Sequence, residues 1–252
     1  MMTVRQRLRL AFGYAVHADS WLALGTLALL LALADRLAAL WAGATVALAV
    51  AGRLLFLGYF YLVLRKASGG SLRLPRARDY RDTWDTLSFP LLQGTVLALW
   101  YWGPLLWCAQ QTLGLGDFAT RLQLRALELL RVAHWQGLVW LWIELFVLPA
   151  ALATAASTRR CWLLLWPPVI WRQAWGARRA FLALVAALQV VAVVMLLLHA
   201  AGGLLEDAVP VPLAAPLATH LFASWAALIQ ARLVGDFVAE QARAVRAGAR
   251  GP

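Results

Sequence analysis

Apolar runs long enough to approach or exceed the thickness of a bilayer recur along this chain, and that repetition constrains the fold more than any motif. A helix crosses a hydrocarbon core with roughly 17–25 predominantly apolar residues, each advancing about 1.5 Å. Runs of this kind cover about 21–34, 37–64, 86–108, 136–156, 180–201 and 211–234, and no stretch between them could form a separate soluble domain. Composition agrees, with 63% hydrophobic and 14% charged residues, where soluble domains have roughly 45–50% and about 25%. The expectation is one all-α integral membrane domain, residues 1–252, of about six transmembrane helices plus amphipathic interfacial helices.

Charge then orients the bundle. Of 23 basic residues, 18 fall at the start of the chain, in 65–85, in 157–179 and in the tail. Short basic segments beside spans stay on the cytoplasmic side, which puts both termini there and suggests a prokaryotic cytoplasmic (inner) membrane. The net charge of +11 therefore reports topology and carries no indication of nucleic acid. Lys66 is the single lysine in an arginine-, alanine- and leucine-rich chain, which reads as the bias of a GC-rich genome. Tryptophans follow the same geometry: Trp100, Trp102, Trp107, Trp135 and Trp140 gather at one interface, and Trp162, Trp166, Trp171 and Trp175 at the other.

Between the runs lie several surface elements. Residues 3–16 set Val4, Leu8, Ala11 and Ala15 at helical spacing, with Arg5, Arg7 and Arg9 largely elsewhere, as in a helix lying on an anionic membrane. Arginines followed by an apolar stretch and Ala32-Leu33-Ala34 also match a cleavable signal peptide, although the length of the leading segment, His17 and Asp19 favour a retained helix. Asp35 and Arg36 separate the first two runs, giving a tight helical hairpin. In the cytoplasmic loop 65–85, Ser68-Gly69-Gly70-Ser71 and Pro75 break helix, and Arg73, Arg76, Arg78 and Arg81 are candidates for binding anionic lipid headgroups. Residues 117–133 form an amphipathic outer segment with Asp117, Arg121, Arg125 and Glu128 on one stripe. Cys161–Ile170 is apolar but contains Pro167-Pro168, so an interfacial or re-entrant piece is expected rather than a crossing. The tail continues as a polar helix through Arg232, Asp236, Glu240 and Arg243.

Arg53 is the strongest chemical anomaly, because a guanidinium inside a span costs roughly 2.5–3.5 kcal/mol to insert. Arg53 and Glu144 both lie roughly 17 Å from the cytoplasmic ends of their runs at about 1.5 Å per residue. With His220 they are candidates for an intramembrane polar site, or alternatively Arg53 and Glu144 form a structural ion pair. Gln93, Gln189 and Gln230 read as hydrogen-bonding contacts between helices. Asp79, Asp82 and Asp85 recur at i, i+3 and i+6, which would let a divalent ion bridge them, yet carboxylates near a helix start are favourable without a metal. Cys108 and Cys161 fall near opposite ends of the expected bundle and outside any CxxC pair, so neither a disulfide nor a metal or redox centre follows. GxxxxGK[ST], HExxH and GxSxG are absent, which argues against nucleotide hydrolysis, zinc proteolysis and ester hydrolysis, and no cofactor is expected.

Gly58-Tyr59 before Leu64-Arg65, then Gly69 or Gly70, Leu74-Pro75 and the Asp79–Asp85 run stand in an order that resembles an uncharacterised family of polytopic prokaryotic membrane proteins, a domain of unknown function. Leu148-Pro149-Ala150 and Trp166-Pro167-Pro168 are similar to that family and, more distantly, to Yip1-like membrane proteins. The motif-bearing part covers about residues 55–95, and the resemblance implies a fold and no activity. The sequence favours a non-enzymatic accessory or scaffold module that binds lipid or a membrane partner. Its alternatives are a transporter or permease component built on Arg53, Glu144 and His220, and an interfacial lipid-headgroup enzyme using Asp79, Asp82 and Asp85.

Overall fold

A computed structural model of the chain describes residues 3–16, 18–37, 42–71, 73, 75, 88–89, 92–97, 143–158, 161–208 and 214–248, without the side chains of Arg53, Glu144, Cys161 and some others. Most of the expected third span, the 117–133 segment, Cys108 and the acidic run at Asp79, Asp82 and Asp85 lie outside the described residues. All regular structure among the described residues is helical. The contacts divide the chain into two compact units, one made of Met1–Leu91 with Ala177–Pro252 and the other of Leu92–Gly176.

The first unit holds α1 (Val4–Ala15), α2 (Ala18–Leu37), α3 (Ala42–Ser68), α6 (Arg178–Ala208) and α7 (Ala214–Gly248). Helix α7 is its axis, since α1, α2, α3 and α6 all pack against it. The pair α2 and α3 forms a hairpin joined through 38–41, with Asp35 and Arg36 inside the last turn of α2 rather than between the helices. Helix α1 begins with a capping box: the Gln6 backbone N–H donates to Thr3 Oγ1 at 3.3 Å, and the Thr3 N–H donates to Gln6 Oε1 at 3.0 Å.

Two helices among the described residues are long and apolar enough to cross a membrane, over Arg178–Met195 of α6 and Leu217–Ala247 of α7. Shorter apolar helical stretches occupy Leu24–Leu33 and Leu145–Ser157. The two long stretches are used differently, with 67% of the α7 stretch buried but only 28% of the α6 stretch. Helix α6 turns Leu184, Ala187, Leu188 and Val191 inward and leaves Leu182, Ala186, Val190, Val193 and Leu197 exposed at helical spacing.

The second unit contains a helical stretch over 92–97, a π-helical turn at Ile143–Val147, α4 (Leu148–Ser157), a 3₁₀ turn at Cys161–Leu165 and α5 (Pro167–Trp175). The π turn has a local cause in Pro149, which carries no N–H and whose ring presses on the carbonyl four residues back. Gln93 is buried, and its Nε2 donates at 3.3 Å to the carbonyl of Thr158, the C-cap of α4. Pro167 and Pro168 open α5, where their missing N–H groups leave no helix bond unmade.

Candidate functional site

Helices α3 and α7 pack closely at Gly235. A methyl group there would meet Ala67 Cβ, the Leu64 carbonyl oxygen at 2.8 Å and the Ser68 nitrogen at 3.0 Å. Only hydrogen fits between these backbones, so the charged residues on either side of Gly235 are drawn against the end of α3. That end is closed by a Schellman motif, in which the Gly70 N–H donates to the Ala67 carbonyl at 2.8 Å and the Ser71 N–H to the Lys66 carbonyl at 3.0 Å. Gly70 adopts φ +79°, a region costing other L-residues roughly 1–2 kcal/mol. The turn presents the Ser71 carbonyl to α7, where Arg232 Nη1 donates to it at 2.5 Å.

Arg232 is 2% exposed and saturated by three kinds of contact. Its Nε donates to Asp236 Oδ2 at 2.9 Å and its Nη2 meets Asp236 Oδ1 at 2.7 Å, a bidentate pair one helical turn apart. Its guanidinium carbon lies 4.9 Å from the centre of the Tyr14 ring on α1, within cation–π range. Burial pushes the Tyr14 phenol above its ordinary range, with Tyr59 and Asp236 acting in the same direction and Arg232 opposing them. The ring against the guanidinium is therefore a neutral phenol.

One turn further along α7, Glu240 accepts from Arg7 Nη2 of α1. Arg7 is 0% exposed, and its Nε and Nη1 have no hydrogen-bond partner among the described residues. Phe12 of α1 meets Trp225 of α7 edge to face, with ring centres 5.2 Å apart. Together these contacts form a clamp: α1 is held to α7 at Arg7, Phe12 and Tyr14, and α7 to the end of α3 at Arg232 and Gly235.

Two expectations from the sequence are corrected here. Arg7 is expected largely off the apolar stripe of the first helix, whereas the buried stripe is Arg7, Ala11 and Ala15. Arg232 and Asp236 are expected in a polar tail, whereas both are buried in α7. A signal existed in the spacing of Arg232, Asp236, Glu240 and Arg243, which puts four charges on one helical stripe.

Of the residues singled out from sequence, Arg53 lies in α3 and Glu144 in the π turn, with their side chains outside the described set. His220 is half-buried on α7. Arg73 is exposed, its backbone N–H donating to Ser71 Oγ at 3.2 Å, while Arg76, Arg78 and Arg81 lie outside the described residues. Among the described residues no cluster of three or more His, Cys, Asp or Glu side chains is arranged to hold a metal ion. No family model, curated protein or solved structure matches the chain.

Proposed function

We propose that this chain is a polytopic membrane protein of about six helical spans with both termini cytoplasmic, and that it works as a non-enzymatic accessory or scaffold module binding lipid or a membrane partner. The observation that carries the scaffold reading is the use made of buried charge in the first unit. Arg7 of α1 pairs with Glu240 of α7, and Arg232 pairs with Asp236 on its own helix and donates to the Ser71 carbonyl beyond α3. Buried charges committed to neighbouring protein groups hold helices in place and present no reactive group to a substrate.

The membrane setting is supported by the outward face of α6, where Leu182, Val190, Val193 and Leu197 are each more than two-fifths exposed. Contiguous apolar surface of that kind is costly in water and suited to lipid. Arginines concentrated beside the ends of apolar runs supply the attraction for anionic headgroups.

The test is purification in mild detergent with native lipids, followed by mass spectrometry of everything retained. A scaffold of this type should carry bound anionic lipid or a stoichiometric membrane partner. Consistent recovery as a lone monomer, free of both, would refute the reading.

A further inference from the structure

Four tryptophans in the second unit are turned outward together. Trp162 is 59% exposed, Trp166 57%, Trp171 50% and Trp175 61%, with Leu165 at 39% beside them. In α5 the division between faces is sharp. Ile170 and Ala174, one turn apart, are buried, and α5 packs against α4. Pro168, Trp171, Arg172 and Trp175, at i, i+3, i+4 and i+7, make the exposed face. The Trp171 and Trp175 rings stack with centres 5.4 Å apart and planes at 17°, pairing the two indoles on that exposed face.

The charge on this segment is of one sign. No aspartate or glutamate stands between Glu144 and Glu206, whereas Arg159, Arg160, Arg172, Arg178 and Arg179 all fall there. Arg172 is exposed on the same helical face as the two stacked indoles. Indole rings favour the boundary between headgroups and acyl chains, and a guanidinium beside them reaches outward to phosphate while its stem stays among apolar groups.

On this geometry and charge, and resting on the membrane reading above, we infer that residues 161–175 lie in the plane of the cytoplasmic leaflet as an anchor for anionic phospholipid. The 3₁₀ turn and α5 sink their tryptophans to the headgroup boundary and set Arg172 against lipid phosphate. This makes the segment an interfacial element rather than a re-entrant one.

The full-length protein, with Cys108 and Cys161 replaced by serine, would be reconstituted in bilayers of phosphatidylcholine alone or mixed with phosphatidylglycerol. Single spin labels at Trp162→Cys, Trp171→Cys, Trp175→Cys and, on α6, Val193→Cys would be read by relaxation from oxygen, which partitions into lipid, and from a water-soluble nickel chelate. The expected result is one shared shallow depth for positions 162, 171 and 175, shifting deeper when phosphatidylglycerol is present. Arg172→Gln, introduced into each singly labelled variant so that the other three tryptophans stay in place, should abolish most of that shift without changing the depth in phosphatidylcholine.

Strong nickel relaxation at 171 and 175 would overturn the inference, as would a graded depth from 162 to 175, the signature of a re-entrant loop. Shielding from both relaxants, as a protein partner would give, or a depth indifferent to phosphatidylglycerol would overturn it too. The label at 193 separates the two levels: in hydrocarbon it leaves the membrane reading standing when the anchor fails, and in water it removes both.

Discussion

At the scale of single residues, the bidentate pair of Arg232 and Asp236 shows what a buried charge does here. Asp236→Leu alone should lower stability by roughly 3–5 kcal/mol, because it leaves a guanidinium buried without its counter-charge. Arg232→Met together with Asp236→Leu should regain much of that loss, though incompletely, since the Ser71 carbonyl also loses its donor. Thermal unfolding in detergent measures both, and a double variant no better than the single one would show that the pair is not coupled. Gly235 is the second decisive residue. Gly235→Ala places a methyl group 2.8 Å from the Leu64 carbonyl, and overpacking of this kind costs about 1–3 kcal/mol. An unchanged unfolding temperature would mean that α3 and α7 do not meet as closely as described.

At the scale of elements, the end of α3 and the face of α7 act as one unit. Gly70→Ala should destabilise by roughly 1–2 kcal/mol through its left-handed backbone, and it should also displace the Ser71 carbonyl from Arg232. Combining it with Arg232→Met should therefore cost less than the sum of the single changes, because neighbours sharing a partner are not additive. Strict additivity in unfolding measurements would uncouple the turn from the clamp. These elements also show what the sequence made legible. Apolar runs and the Gly69-Gly70 break are local signals, and helical structure and the α3 stop followed from them. Less legible were the π turn before Pro149, in a run that reads as one span over 136–156, and the short helix opened by Pro167-Pro168, residues that read as a break in an interfacial or re-entrant piece. The clamp was hidden for a physical reason: Arg7 meets Glu240, and Arg232 the Ser71 carbonyl, only in three dimensions, and a charged residue on an amphipathic helix looks the same in sequence whether it faces water or a partner.

At the scale of the whole molecule, the proposed topology predicts opposite labelling of opposite loops. Cysteines at Gly70 and Gly248 should react with an impermeant reagent only when the cytoplasmic side is opened, and those at Gly116 and Glu206 should react from outside. External labelling at Gly70 would invert the arrangement and detach the basic segments from the inner leaflet. The pairing of Arg7 with Glu240 adds a consequence for how such a chain is made. The two residues are 233 positions apart, so at about 5–20 residues per second roughly ten to fifty seconds of synthesis separate them. During that interval α1 has emerged but its acidic partner does not yet exist, and Arg7 must stay in water or at lipid phosphate. Its burial waits for the translation of α7, so a nascent chain halted before Glu240 carries an undocked amphipathic arm, and the clamp can close only once α7 has emerged.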